Sequence, residues 1–234
     1  MAYEFDFAAV FAHSDMLLQG AGFTLGLTAA GAVLGGLIGV VGGVCRAWRI
    51  APLHWVFKVY VELIRNTPFL VQLMFVFFGL PSLGVQINEW QACLLATVVN
   101  LGAYLTEIVR AGIQETPRGQ LEASQALGMS RWACFRHVVL RPALQKVWPS
   151  LSSQIVIVML GTSVVSQIAA QDLTFAANFI QSRNFRAFET YIIVTVMYGL
   201  LALLLRWALN WMGTHWIVAR RTPPAPALPT GGAA

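Results

Sequence analysis

The stretch EIVRAGIQETPRGQLEASQALGMSRWACFRHVVLRP, from Glu107 to Pro142, is a polar and basic segment wedged between long apolar runs. Thr116-Pro117 predicts a helix start, because threonine can cap free N–H groups and proline in the first turn gives up no useful donor. Gly128 predicts the end of that helix, since glycine takes the left-handed conformation without a Cβ penalty. Ser130 is then placed to cap a second helix, with Trp132, Phe135 and Val139 on one side and Pro142 at its close. The product is a pair of short helices joined by a sharp bend, lying at a membrane surface.

The membrane follows from the rest of the chain. Its 234 residues are 57% hydrophobic and 11% charged, with mean hydropathy +0.66, which leaves too little polar surface to clothe a soluble globule. Apolar runs long enough for the ~20 residues of a bilayer-crossing helix predict five spans, at 20–44, 56–80, 89–111, 148–168 and 191–211. The expected class is an all-α integral membrane protein with the bent segment, 112–146, between the third and fourth spans. Residues 1–19 read as an interfacial segment, 20–218 as the membrane domain, and the Pro- and Gly-rich 219–234 as a disordered tail. The N-terminus lacks the basic start and cleavage site of a secretory signal.

The formal charge of +5 does not point to nucleic acid, because lysine is almost absent and the arginines fall between apolar spans. Arg46, Arg49, Lys58, Arg110, Arg118, Arg131, Arg136, Arg141, Lys146, Arg220 and Arg221 collect on one side. Only Arg183 and Arg186 fall on the other, so the bent segment and the C-terminus are expected in the cytoplasm and the N-terminus outside. Cys45, Cys93 and Cys134 are isolated, so neither a disulfide framework nor a metal site is expected. No phosphate-cradling glycine loop ending in Lys-Ser/Thr occurs, and no catalytic motif either. Any ATP-driven work therefore falls to another subunit.

Within the spans, Gly31, Gly35, Gly39 and Gly43 recur every fourth residue, a stripe that lets another helix approach closely. Glu62 and Arg65 are three apart on one helix face and are expected to form an ion pair, and Pro68 is expected to kink that helix. Gln72 lies deeper in the same span. Asn100, Tyr104 and Glu107 share a face of the third span, where unpaired polar groups are expensive and so mark a candidate functional surface. Glu107 is expected to pair with Arg110 or Arg65. Gly161-Thr162-Ser163 interrupts the fourth span and could expose backbone and hydroxyl groups; equally, the hydroxyls could bond back to their own helix.

The bent segment resembles the cytoplasmic coupling loop of ABC importer permeases, in which Glu-Ala-Ala is followed after three residues by Gly and a hydrophobic run closing on Leu-Pro. Glu122, Ala123, Ser124 and Gly128 carry the match, with Leu140-Arg141-Pro142 at the close; serine replaces the second alanine and the proline is displaced by one. Arg65, Thr67, Pro68 and Gln72 resemble the second-helix motif of permeases for polar amino acids of the histidine, glutamine and arginine type. Asn100, Tyr104 and Glu107 resemble the corresponding third helix. Leu160-Gly161 departs from the charged or strongly polar pair that precedes Thr-Ser in those permeases. The segment around Leu173, Ala176, Ala177 and Ile180 resembles their extracytoplasmic gate helix.

The resemblance implies the type I ABC importer permease fold in a bacterial inner membrane. It implies alternating access, with Gln72, Asn100, Tyr104, Thr162 and Ser163 along a substrate pathway. Arg118, Leu121, Glu122, Ala123, Ser124, Leu127 and Gly128 would form the ATPase-coupling surface. The implied partners are a second permease subunit across the glycine-rich or pore-facing helices, two ATPase subunits that bind ATP and Mg, and an extracytoplasmic amino-acid-binding protein. An ion-coupled secondary transporter using Glu62 and Glu107 is the alternative.

Overall fold

The computed structural model describes residues 5–217, which form helices, short turns and loops. In chain order the α-helices are α1 (Ala8–Phe11), α2 (Ser14–Ala47), α3 (Leu53–Arg65), α4 (Phe69–Ser82), α5 (Glu89–Gln114), α6 (Arg118–Ala126), α7 (Arg131–Ala133), α8 (Arg141–Gly161), α9 (Leu173–Asn184) and α10 (Ala187–Met212). A π-helical stretch, Cys134–Leu140, joins α7 to α8, and a 3₁₀ stretch, Thr162–Ile168, extends α8. Four segments are long and apolar enough to cross a bilayer: Ser14–Ala47, Glu89–Gln114, Arg131–Ile168 and Ala187–His215. The bent pair α3 and α4, taken as one crossing, makes five.

The centre of the fold is the parallel pair α2 and α5. All four glycines of the stripe are buried, and each meets α5 one turn further along: Gly31 faces Thr97, Gly35 faces Gly102, Gly39 faces Leu105 and Gly43 faces Val109. A Cβ on Gly39 would stand 2.5 Å from Leu105 Cβ and 3.1 Å from its carbonyl carbon. Within lipid, where helix association depends on packing rather than water exclusion, such close backbone approach is what holds two helices together. The stripe is thus consumed inside the chain, which corrects the expectation that it could receive a second permease copy.

Around this pair the buried side chains form three clusters. Leu101, Leu105, Val109 and Ile113 of α5 meet Val139, Ala143, Leu151, Ile155 and Val158 of the fourth crossing and Leu209 of α10. Leu27, Leu73, Ala92, Cys93 and Ala96 meet Val165, Ile168 and Ala170 nearer the opposite side. Val10 and Leu17 pack on Leu173, Ala176, Ala177, Ile180 and Val194. In this last cluster Asp172 caps α9 by accepting the Phe175 N–H at 2.8 Å. It also accepts a hydrogen bond from the Tyr198 hydroxyl at 3.1 Å, and burial raises its carboxyl above the ordinary aspartate range.

Several expected boundaries shift. The first crossing helix, α2, begins at Ser14, not near Gly20, because Leu17 already packs against the third cluster. The second span is broken rather than kinked: α3 and α4 meet at 108°. Pro68 sits in extended backbone, and the residue before a proline is pushed out of the helical region. The fourth span starts at Arg131 rather than at Trp148-Pro149, since the helix opened by Ser130 does not stop at Pro142 but runs on into α8. Pro142 offers no N–H to the carbonyl four residues back, and the π-helical register just before it accommodates that loss. The proposed 219–234 tail, with Arg220 and Arg221, lies outside the described residues.

Candidate functional site

At the break between α3 and α4 the last carbonyls of α3 lose their helical partners, and side chains replace them. Asn66 Nδ2 donates to Glu62 O at 2.7 Å, Thr67 Oγ1 to Leu63 O at 3.0 Å, and Gln72 Nε2 to Ile64 O at 2.8 Å. Gln72 Nε2 also reaches Thr67 O at 3.0 Å and Thr67 Oγ1 at 2.9 Å. From the neighbouring span, Asn100 Nδ2 donates to Gln72 Oε1 at 2.9 Å. An amide chain therefore runs from the buried Asn100 in the middle of α5 to the half-buried Gln72 in the gap, and Gln72 braces the broken span.

Replacing Gln72 by leucine strands Ile64 O and the Asn100 amide in a low-dielectric setting, at about 1–3 kcal/mol for each unsatisfied group. The expected outcome is a lowered thermal midpoint and faster proteolysis near Thr67 in the purified protein. Gln72→Glu keeps an acceptor for Asn100 but sets a carboxylate oxygen against Ile64 O and Thr67 O, so it is expected to lose at least as much.

Beside the break lies a cavity of about 380 Å³ lined by Thr67, Pro68, Phe69, Leu70, Asn100, Tyr104, Gln154, Ile157, Val158, Gly161 and Val164. Its wall carries amides, hydroxyls and apolar groups but no charged side chain. Asn100 and Tyr104 line it. Gln72, Thr162 and Ser163 do not: Thr162 is buried, and its hydroxyl donates to Met159 O at 2.6 Å. Backbone tightening into a 3₁₀ turn after Gly161 satisfies the local carbonyls, so the fourth span is not unwound there. Gln154 escaped sequence reasoning although it is a lone amide in an apolar run.

A second hollow of about 290 Å³ shares Tyr104 and is lined by Val61, Glu62, Arg65 and Asn66. The expected Glu62–Arg65 ion pair is not formed. Arg65 is the last residue of α3, and its guanidinium instead lies over the Tyr104 ring, 5.3 Å from the centroid. Glu107 pairs with Arg110, whose Nε stands 3.0 Å from Oε1, and also with Arg46 of α2 rather than with Arg65. Arg110 additionally bonds Gln114. The contribution of Arg46 was not foreseen, though it is the first basic residue after the glycine stripe.

The bent segment follows at the end of α5. Thr116 does not cap α6; Pro117 occupies the cap position and no side chain bonds there. The far end is closed by backbone alone: the Met129 N–H donates to Ser124 O at 3.0 Å and the Gly128 N–H to Gln125 O at 2.9 Å. Gly128 adopts φ +66°, the arrangement that ends a helix in a left-handed residue. Ser130 Oγ then accepts the Ala133 N–H at 3.2 Å.

This geometry sorts the predicted coupling residues into two sets. Arg118, Glu122, Ala123, Leu127 and Gly128 are exposed, Leu127 at 80%. Leu121 packs inward against the first cluster. Ser124 is buried, donates to Leu121 O at 2.7 Å and lies 3.0 Å from Cys134 Sγ. The serine that departs from the Glu-Ala-Ala pattern thus ties α6 to the π-helical stretch rather than facing outward.

Known proteins share both the sequence and this architecture. Residues 31–216 match the family model described as "Binding-protein-dependent transport system inner membrane component". The glutamine transport system permease protein GlnP of Escherichia coli (strain K12) is 35% identical over 209 residues, covering 88% of this chain and 95% of that protein. The arginine transport system permease protein ArtQ of Bacillus subtilis (strain 168) is 31% identical over 201 residues, covering 86% and 92%. A crystal structure of an amino acid ABC transporter with histidines superposes with TM-score 0.81 at 33% identity, covering 90% of this chain and 99% of that one. With the family model matched over residues 31–216 and these relatives aligned along most of its length, this chain belongs to the family of inner membrane components of binding-protein-dependent transport systems.

Proposed function

We propose that the chain is the permease subunit of an ATP-driven importer for polar amino acids, working by alternating access. The observation that carries the reading is the cavity at the broken second span, apolar over most of its wall with a few uncharged polar groups and no charged side chain. Asn100, Tyr104 and Gln154 offer donors and acceptors there, while Phe69, Leu70, Ile157 and Val158 supply apolar wall. Such a wall suits an uncharged polar side chain better than an ionised one, which would enter without a counter-charge.

The exposed face of Glu62, Arg65, Asn66 and Thr67, level with the middle of α5, needs protein or water beside it rather than lipid. A second permease subunit, identical or related, supplies that cover and completes the pathway. Two separate ATPase subunits carry ATP and Mg and receive α6, and an extracytoplasmic binding protein delivers substrate. The bent segment and C-terminus face the cytoplasm, as the basic side requires. The secondary-transporter alternative loses support because Glu107 is committed to two arginines.

The test is ATP hydrolysis by the reconstituted complex with its binding protein, assayed across acidic, neutral polar and basic amino acids. Stimulation strongest for a neutral polar amino acid is the expected result. Strongest stimulation by an acidic or basic one, or uptake by this chain alone driven by protons, contradicts the reading.

A further inference from the structure

The hollow of about 290 Å³ beside the amide-lined cavity is walled by a full charge of each sign, Glu62 and Arg65, with Val61, Asn66 and Tyr104 completing it. The two spaces adjoin: Tyr104 lines both, and Asn66 of one is followed in the chain by Thr67 of the other. Glu62 and Arg65 stand one turn apart at the end of α3, a spacing at which opposite charges ordinarily meet. Here they stay apart. Arg65 lays its guanidinium over the Tyr104 ring, 5.3 Å from the centroid, and makes no ion pair or hydrogen bond among the described residues. The Glu62 carboxylate receives only the Asn66 amide, at 3.5 Å, and that amide is already committed to Glu62 O at 2.7 Å. Both charges are exposed, level with Tyr104 inside the third crossing. At such depth an ionised group without a partner is costly and marks a site.

We infer that this hollow binds the zwitterionic head of a free amino acid, with Arg65 taking the α-carboxylate and Glu62 the α-ammonium, while the side chain enters the adjoining uncharged cavity. The inference rests on the importer reading above and adds the groups that recognise what all amino acids share. A lone anion would answer Arg65 and leave Glu62 bare, and a lone cation the reverse. An α-amino acid carries both signs on one carbon, so a single molecule placed between the two side chains neutralises each. Tyr104 keeps that gap open by holding the guanidinium away from Glu62. A guanidinium matches a carboxylate with paired N–H groups, and a carboxylate accepts directly from an ammonium. The division of labour also accounts for the neighbouring wall, which lacks charged side chains because the charges of the substrate are answered next door.

The experiment is equilibrium binding of radiolabelled L-glutamine to the assembled transporter in detergent, without the binding protein, which would impose its own selection. Unlabelled glutamine, its decarboxylated analogue and its deaminated analogue compete, and arginine and glutamate are run in parallel, each with its own two analogues. Wild type is expected to prefer glutamine to either analogue about tenfold, roughly what one charge-assisted hydrogen bond contributes. Arg65→Met, which keeps a long side chain beside Tyr104, should weaken glutamine about tenfold and leave the decarboxylated analogue unchanged. Glu62→Gln should weaken glutamine to a similar degree and leave the deaminated analogue unchanged. A residue that only held the fold would weaken all three ligands together. Equal competition by the analogues in wild type, a uniform loss in either variant, or no binding of any of the three amino acids overturns the proposal and leaves the importer reading standing. Separation of the two permease subunits in both variants, with analogue preference unchanged, also overturns it by showing that these charges pair across their interface. Tighter binding of arginine or glutamate with the same analogue pattern supports the head-group site while contradicting the uncharged-substrate reading.

Discussion

Replacing Gly39 by leucine is expected to abolish the folded permease, whereas replacing Gly36 by leucine on the same helix is expected to leave it intact. At Gly39 the first added carbon would stand 2.5 Å from Leu105 Cβ and 3.2 Å from the Thr106 nitrogen. Part of that obstruction is the α5 backbone, so no rotamer change relieves it, and the helices must separate along the whole seam from Gly31 to Gly43. Overpacking costs about 1–3 kcal/mol where side chains can yield, and more is expected where backbone blocks the way. At Gly36 nothing lies within 4 Å. Thermal unfolding in detergent, read alongside the yield of monodisperse protein, separates the cases: a lost transition for Gly39→Leu and a wild-type midpoint for Gly36→Leu. Similar midpoints for both would show that the seam does not hold α2 to α5.

The second large effect is expected at the elbow. Gly128 has open space around it but a φ of +66°, so its requirement is conformational rather than steric. Valine there pays roughly 1–2 kcal/mol or more for the left-handed backbone, which opens the turn between α6 and Ser130 and reduces the docked geometry about tenfold. Glu122→Ala removes an exposed carboxylate without disturbing the fold, because Glu122 makes no ion pair among the described residues. Both variants are expected to reach the membrane in normal amounts. Substrate-driven uptake is expected to fall about tenfold for Gly128→Val and comparably for Glu122→Ala, about the worth of one charge-assisted hydrogen bond. Ser124→Ala acts differently: it breaks the tie to Cys134 and is expected to loosen the elbow without removing its outer face.

The helical class, the five crossings and the elbow were legible because each rests on a local rule. Apolar length reports a span, a small residue every fourth position reports a close helix contact, and Gly128 and Ser130 report a stop and a cap. What escaped depends on partners distant in the chain. Sequence could place Gln72 in the second span but not show that its amide replaces helical hydrogen bonds lost at Pro68. That role appears only when Asn100 of α5 arrives beside it. The spacing of Glu62 and Arg65 allowed an ion pair, but Tyr104 drew the guanidinium away. Pro142 looked like a terminus because proline cannot donate; the π-helical register accommodates it and carries the helix onward.

The central claim is that α6 on the basic side of the membrane transmits force from a separate ATPase. Photocrosslinking from a probe at Leu127, 80% exposed at the tip of the elbow, tests it most directly in the assembled transporter. The account predicts an adduct with the ATPase subunit whose yield changes between nucleotide-free and ATP-bound states, and labelling of the same position by membrane-impermeant reagents only from the cytoplasmic side. Labelling from the external side, or an assembled transporter that yields no ATPase adduct in either state, would contradict it.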